Sequence, residues 1–232
     1  METFNQPYAN LTPAMALQLL QHGNFRFVNN LGLDRNHITA VDETKDGQYP
    51  FAAIFSCMDS RTSAELIFDQ GFGDIFSIRV AGNVISDDVL GSLEYATAVA
   101  GSKLIVVLGH TNCGAIGGAC NDVKLGHLTS LLAKIAPAIF EEKKTAVECD
   151  GDNKAFVNNV AKVHVKNSVK EILSQSSIIN ELVHSGNAGI IPAMYDVATG
   201  QVHFYQRDAV LWKDDTEENH TDMSNHTNTN IN

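Results

Sequence analysis

The stretch FAAIFSCMDSR, residues 51–61, is a short apolar run followed at once by cysteine, aspartate and arginine. An apolar run of this length predicts a strand that is buried on both faces, as in a parallel sheet covered by helices. Two similar runs follow at residues 75–80 and 103–108. We therefore expect three central parallel strands.

Helical patterns lie between these strands. Thr62 and Glu65 match a capping box, and Asp87 and Asp88 precede an apolar repeat of helical spacing. Thr12 and a following proline begin an amphipathic pattern that runs to residue 28. Further helices are predicted at residues 125–139, 154–173 and 178–184, and an edge pair of strands is predicted at residues 188–195 and 201–205.

This order predicts one α/β domain with a mostly parallel central sheet flanked by helices. We assign residues 1–213 to this domain, with an N-terminal helical arm at residues 11–30 and a C-terminal edge strand. Residues 214–232 are polar and rich in asparagine and threonine. Such a segment buries too little apolar surface to offset its ordering entropy, so we expect a disordered tail.

Composition excludes several classes of protein. The formal net charge of −11 disfavours a nucleic-acid partner, because a phosphate backbone would be repelled. We find no apolar run long enough for a membrane span, and no secretory or transit pattern at the N-terminus, so we expect a cytoplasmic protein. In that compartment four cysteines favour metal binding or catalysis over a disulfide framework.

Three candidate metal ligands follow two of the predicted strands. Cys57 ends the first run, and His110 and Cys113 follow the third. The carboxyl ends of parallel strands meet at one edge of a sheet, where α/β proteins place their ligands. A helix entered through Gly114 would direct its amides at Cys113 and favour the thiolate.

Asp59 and Arg61 strengthen this interpretation. In an extended segment they would share a face with Cys57, although an ordinary ion pair beside a core cysteine would give the same pattern. Cys120 lies about 10 Å further along a helix, too far to be a fourth ligand, and Cys149 is expected at the surface. Three protein ligands are typical of a catalytic zinc, which keeps its fourth position for water. Asp59 is the one plausible protein group for that fourth position, and Arg61 can hold it away from the metal.

Four motifs together resemble those of the β-class carbonic anhydrases, from residue 11 to residue 205. They are Ser56-Cys57-Met58-Asp59-Ser60-Arg61, Arg79-Val80-Ala81-Gly82-Asn83, Ser92-Leu93-Glu94-Tyr95-Ala96 and Gly109-His110-Thr111-Asn112-Cys113-Gly114. The resemblance implies one zinc per chain on Cys57, His110 and Cys113, with an Asp59–Arg61 dyad. It also implies reversible hydration of CO2 to bicarbonate and a proton, by attack of a zinc-bound hydroxide.

The resemblance is closest to the plant-like branch of that family. There, residues equivalent to Gln48, Phe76 and Tyr95 line the substrate pocket next to the zinc of the adjacent subunit, and we add Gly114 to this substrate set. A homodimer or a dimer of dimers is therefore expected. Ile54 replaces the tryptophan that marks a branch with a non-catalytic bicarbonate site, so we expect no bicarbonate inhibition of that kind. Met58 departs from the small polar residue usual in the family.

Two other functions remain open at this point. The same zinc site could hydrolyse COS or CS2, which are linear and apolar like CO2. Alternatively, the chain could be a non-enzymatic zinc-thiolate protein for redox sensing or binding, with Cys120 as the resolving thiol. Six histidines are possible proton shuttles, and we single out none of them: His22, His37, His127, His164, His184 and His203.

Overall fold

The computed structural model describes residues 10–147 and 149–211. The tail predicted at residues 214–232 and the first nine residues lie outside this part of the chain. Within it, five strands form one sheet in the order β2-β1-β3-β4-β5. The strands are β1 (Ala52–Ser56), β2 (Ile75–Arg79), β3 (Leu104–His110), β4 (Gly189–Tyr195) and β5 (Val202–Phe204).

The sheet is mostly parallel, as predicted. β1 pairs in parallel with β2 and β3, and β3 pairs in parallel with β4. β5 runs antiparallel to β4 and forms the predicted edge strand. β1, β3 and β4 are buried along their whole length, which is why their sequences are apolar on both faces.

The expectation that residues 75–80 form a central strand was wrong. β2 has β1 as its one strand neighbour and lies at the edge of the described sheet. Ile75 is buried, but the remaining β2 residues are partly or fully exposed. The apolar run alone does not distinguish a central strand from an edge strand, because β-branched and aromatic residues are enriched in both.

Helices cover both faces of the sheet. They are α1 (Pro13–Val28), α2 (His37–Thr44), α3 (Ala64–Ile67), α4 (Asp87–Glu94), α5 (Gly114–Cys120), α6 (Gly126–Ala133), α7 (Ala136–Glu142), α8 (Lys154–Gln175) and α9 (Ser177–His184). A π-helical turn, Tyr95–Val99, extends α4. One core cluster joins the sheet to α8 and its neighbours, and the second joins the opposite face to α1 and α3. In β1, Ala53 and Phe55 point into the first cluster, whereas Ile54 points into the second, because strand side chains alternate.

α1 confirms the predicted arm helix. Thr12 is its N-cap, and its hydroxyl accepts a hydrogen bond from the Met15 amide. Asp69 also anchors this part of the chain. Its carboxylate accepts hydrogen bonds from Arg26 in α1 and from Arg35 after the helix. Burial alone would raise the pKa of Asp69, but the two guanidinium groups outweigh it and hold this pKa below its usual range.

Two helix predictions need correction. Thr62 and Glu65 form no capping box: Ser63 is the N-cap of α3, while Thr62 Oγ1 donates instead to the Cys57 and Asp59 carbonyls. The segment at residues 125–139 is two helices, α6 and α7. α7 has Pro137 in its first turn, and proline lacks the amide that would continue the preceding helix.

The polar helix α2 was not predicted. It buries none of its residues, so its sequence shows no apolar periodicity. Asn36 was the available signal, because its side chain caps the amides of Ile38 and Thr39. No helix within the described residues is both long enough and apolar enough to cross a membrane.

Candidate metal centre

The carboxyl ends of β1 and β3 bring the predicted ligands together. β1 and β3 are neighbours with Ser56 opposite Leu108, so Cys57 leaves the sheet beside His110 at the same edge. The close approach of β3 to α8 requires a glycine just before the histidine. A Cβ atom on Gly109 would lie 2.7 Å from both the Met194 sulfur and a methyl group of Val165.

The ligand atoms of Cys57, His110 and Cys113 lie within 4.8 Å of one another, and all three residues are buried. The two sulfur atoms are 3.9 Å apart. Two Zn–S bonds of 2.3 Å at a tetrahedral angle would place their sulfurs about 3.8 Å apart. The donor set therefore fits zinc in both chemistry and spacing.

His110 is oriented as a metal ligand. Its Nδ1 lies 2.9 Å from the Thr111 carbonyl, and since a carbonyl only accepts hydrogen bonds, Nδ1 carries the proton. The lone pair is consequently on Nε2, which is buried and has no hydrogen-bond partner among the described residues. A buried polar atom without a partner is costly unless something binds there, as a metal ion would.

The two cysteines perturb each other. The hydrogen bond from Cys113 lowers the pKa of the Cys57 thiol to about 4, and the Gly82 amide acts in the same direction. The same contact with Cys57, together with burial, raises the pKa of Cys113. The amides of Ala115 and Ile116 at the start of α5 do lower the pKa of Cys113, as predicted, but the neighbouring thiolate has the larger effect. A divalent cation would favour the loss of both protons.

A tight turn after β2, Ala81–Asn83, supports the Cys57 sulfur. The Gly82 amide donates to Cys57 Sγ at 3.3 Å. Gly82 has φ of 67° and Asn83 has φ of 54°, a left-handed conformation that favours glycine and asparagine. The Asn83 side chain donates to the Phe55 and Leu108 carbonyls, so the turn is anchored to both strands that carry ligands.

Asp59 and Arg61 form the predicted dyad by a different local geometry. The strand ends at Ser56, and Ser60 and Arg61 form a turn, so this segment is not the extended strand that we expected. Arg61 Nε and Nη2 donate to the two Asp59 carboxylate oxygens at 2.9 and 2.8 Å, and the Arg61 amide adds a third bond. This clamp holds the pKa of Asp59 well below its usual range, chiefly through the Arg61 side chain. Asp59 Oδ2 lies 4.0 Å from His110 Nε2, next to the ligands.

Sequence reasoning assigned no role to Arg79. Its guanidinium donates to the Cys57 and Asp59 carbonyls and so fixes the loop that carries a ligand and the dyad. Its place in the motif at residues 79–83 was the available signal. Asn158 was also missed: its side-chain oxygen accepts from the amide of Asn112, which precedes Cys113 and has φ of 53°.

The expected pocket residues lie away from this centre. Phe76 and Tyr95 pack edge to face with ring centroids 6.2 Å apart and line a cleft of about 500 Å³. Phe76 pairs with Ala53, four residues before Cys57, which is about 13 Å along the strand. Gln48 is exposed before the start of β1 and does not line this cleft, whereas Gly114 directly follows Cys113 at the start of α5.

The other notable side chains are not ligands. The Met58 side chain is 63% exposed and points away from the core. Cys120 lies at the end of α5, in agreement with the expectation that it is too far to be a ligand. The expectation that Cys149 lies at the surface was wrong, because it is half-buried against the core cluster that includes α8.

Comparisons with known proteins agree with this geometry. The family model described as carbonic anhydrase matches residues 52–202. Carbonic anhydrase 2 of Mycobacterium tuberculosis is 38% identical over 200 residues, covering 83% of this chain and 92% of that protein. The carbonic anhydrase of Mycolicibacterium smegmatis is 34% identical over 199 residues, covering 83% and 93%. In fold, the chain is similar to a tetrameric β-carbonic anhydrase of Sordaria macrospora, with a TM-score of 0.65 and 24% identity over 83% of this chain and 95% of that one.

Proposed function

The chain belongs to the β-class carbonic anhydrases, which catalyse zinc-dependent hydration of CO2, and we propose that Cys57, His110 and Cys113 hold its zinc. The observation that carries this proposal is the convergence of the three ligand atoms within 4.8 Å. The unpartnered Nε2 of His110 supports it independently. One zinc per chain is expected.

When bound, zinc supplies Lewis acidity that lowers the pKa of a coordinated water. The side chains beside the ligands would position that water. Because the pKa of Asp59 is held well below its usual range, Asp59 stays a carboxylate near neutral pH and could accept a hydrogen bond from such a water. Arg61 donates to both carboxylate oxygens and so holds Asp59 in place, where it would act as an orienting acceptor and would not itself bind the metal.

The substrate wall is proposed to come from a second copy of the chain. Phe76 and Tyr95 form an apolar surface that is remote from the ligands of their own chain, and Gln48, which does not line their cleft, is proposed as a hydrogen-bond donor to the substrate. Gly114 would leave room for substrate next to Cys113, because nothing lies within 4 Å of the position of its Cβ. These assignments imply a homodimer or a dimer of dimers, and the relative from Sordaria macrospora is described as tetrameric.

Exposed apolar residues between the second half of α1 and the start of α2 support such an assembly. Phe25, Leu31, Leu33 and Ile38 are between 56% and 80% exposed, an unusual concentration for a single segment. A neighbouring subunit would remove this surface from water.

We further propose that residues 1–213 form one catalytic domain in the cytoplasm, with no nucleic-acid or membrane partner.

The plant-like branch remains our assignment within the family. Ile54 is fully buried in the core beneath the sheet, where the larger side chain of tryptophan would overpack its neighbours. We therefore propose that bicarbonate acts as product and reverse substrate and not as an inhibitor at a second site. Rates measured with increasing bicarbonate should show simple product inhibition.

The redox alternative is disfavoured by Cys120. Burial raises the pKa of this thiol to about 11, so little of the reactive thiolate is present at neutral pH. Hydrolysis of COS or CS2 uses the same ligands and differs in the substrate wall. Stopped-flow assays with CO2, COS and CS2 on one zinc-assayed sample test the proposed preference, and turnover of COS or CS2 in the absence of CO2 hydration would overturn it.

A further inference from the structure

The peptide unit that joins Thr111 to Asn112 is hydrogen-bonded at both of its ends. Its carbonyl oxygen, on Thr111, accepts from His110 Nδ1 at 2.9 Å. Its N–H group, on Asn112, donates to the side-chain oxygen of Asn158 at 2.9 Å. A single peptide unit therefore separates the proposed zinc ligand from Asn158, a half-buried residue of α8 for which the proposed reaction gives no role.

The conformation of Asn112 makes this peptide unit dependent on its partners. Asn112 has φ of 53°, a left-handed conformation that is unfavourable for residues other than glycine, although asparagine tolerates it better than most. A half-turn of the peptide unit would bring φ of Asn112 to a negative value and would turn the Thr111 carbonyl away from the His110 ring. The observed orientation is thus the one that needs support from hydrogen bonds.

The other backbone contacts of this segment hold the neighbouring peptide units. The Thr111 amide donates to the Tyr195 carbonyl at 2.9 Å, and this amide belongs to the preceding unit. Arg61 Nη2 donates to the Asn112 carbonyl at 3.3 Å, and this carbonyl belongs to the following unit. The orientation of the central unit is left to its own two bonds, one to the ligand ring and one to Asn158.

We propose that Asn158 is a positioning residue for His110, because it holds the Thr111–Asn112 peptide unit so that the Thr111 carbonyl stays hydrogen-bonded to Nδ1. This inference rests on the proposed ligation of zinc by His110. A carbonyl that accepts from Nδ1 fixes the ring orientation, directs Nε2 at the metal and raises the basicity of the ligand. The bond to Asn158 polarises the same peptide unit and so strengthens its carbonyl as an acceptor.

The test compares substitutions of Asn158 with a matched control at the next residue of α8. Asn158→Leu keeps the approximate shape of the side chain but removes the acceptor, whereas Asn158→Asp keeps an oxygen at the same position. Asn159→Leu is the control, because the Asn159 side chain donates to Glu142 Oε1 and not to the ligand segment. Zinc affinity is measured by chelator competition, and the exchangeable Nδ1 proton of His110 is followed by NMR of the Co²⁺-substituted protein.

We expect Asn158→Leu to lose zinc affinity by about 10-fold, at the lower end of the range for partners of metal ligands, because water can reach the exposed Asn112 and replace part of the bond. The resonance of its His110 Nδ1 proton should shift, and this proton should exchange faster with water. Asn158→Asp and Asn159→Leu should match the wild type in both measurements. If Asn158→Leu does not fold, Asn158→Ala takes its place with the same expectations.

The proposal is overturned if the protein without the Asn158 acceptor matches the wild type. Equal losses in Asn158→Leu and Asn158→Asp would also overturn it, since they would show that side-chain shape matters and the acceptor does not. Equal losses in Asn158→Leu and Asn159→Leu would do the same, by tracing the effect to the stability of α8. If Co²⁺ leaves the His110 resonances of the wild type unshifted, the proposed ligand set itself is refuted.

Discussion

The two ends of the parallel strands are built for different tasks. At the carboxyl end, Cys57, His110 and Cys113 converge within one chain, and backbone amides and charged side chains already hold them in place. At the amino end, Phe76 and Tyr95 line an open cleft that includes none of the three candidate ligands. The first region has all three candidate ligands in a single chain, whereas the second takes part in the reaction only under our proposal that it faces the metal of another copy.

The largest effect should come from damage to the metal region. Cys113→Ala leaves two ligands, which are too few to hold a catalytic zinc. The zinc content should fall to near zero, and kcat/KM should fall by more than the roughly 100-fold that loss of an outer-shell partner costs. Cys120→Ala is the matched control and should keep both. Full zinc occupancy in Cys113→Ala, measured by atomic absorption, would show that the ligand set is wrong.

Complementation between subunits tests the proposed division directly. A Cys57→Ala chain lacks the metal but has Tyr95, and a Tyr95→Ala chain has the metal but lacks the wall. If both regions meet across a symmetric interface, an equal mixture after subunit exchange should recover about a quarter of the wild-type activity, because half of the dimers contain one intact site. The assay is CO2 hydration before and after mixing. Activity equal to the average of the two unmixed proteins would place the wall and the metal in the same chain.

The pH dependence should reflect two thiolates at the metal. They cancel the charge of Zn²⁺, so a coordinated water is acidified less than in carbonic anhydrases with three neutral histidines, where its pKa is ~7. We expect kcat/KM to rise through the alkaline range, with an apparent pKa above that value. Asp59→Asn should lower the plateau but leave this apparent pKa nearly unchanged, because Asp59 itself titrates well below its usual range. A profile that is flat from below neutrality would contradict the charge argument.

A smaller effect is expected from loss of the ion pairs that Asp69 forms with Arg26 and Arg35. Asp69 is 8% exposed and its pKa is lowered in the folded chain. Its stabilising contribution is therefore present above an unfolded pKa of about 3.9 and is lost as the pH falls through the folded value. Asp69→Asn should reduce the free energy of unfolding by about 2 kcal/mol at pH 7 and by less near pH 3, since Arg26 and Arg35 are themselves partly exposed. Urea unfolding at both pH values measures this, and an equal loss at both would exclude an ionic origin.

The smallest effect should follow removal of residues 214–232. Their sequence contains few apolar side chains, so truncation should leave zinc content, turnover and Tm unchanged. Thermal unfolding of the truncated chain checks this. A fall of several degrees in Tm would show that the segment contributes to the packed structure.

The sequence predicted the centre of the fold better than its margins. The buried strands and the ligands at their ends are local patterns, because an apolar run and the residue that follows it are adjacent in the chain. The edge position of β2 depends on neighbours that are distant in sequence, and the missed helix α2 buries no residue at all. The Thr62 error has another cause, because its hydroxyl donates to the nearby Cys57 and Asp59 carbonyls and does not cap the helix that follows.

The parts of the site that sequence reasoning missed are backbone contacts. The Gly82 amide on Cys57 Sγ and the Arg79 bonds to the ligand loop arise from the way the turn after β2 folds over the end of β1. The sequence motif identifies these residues but does not show which of their atoms contact Cys57. The ligand side chains, in contrast, were predictable because their chemistry and spacing leave few other roles.

The most direct test of the central claim is a zinc titration of the metal-free protein, with CO2 hydration followed by stopped flow at each addition. The account predicts a rate that rises in proportion to bound zinc and reaches its maximum at about one zinc per chain. The same titration of Cys57→Ala should give neither binding nor rate. Hydration by the metal-free wild type, or a fully zinc-loaded wild type without hydration, would contradict the account.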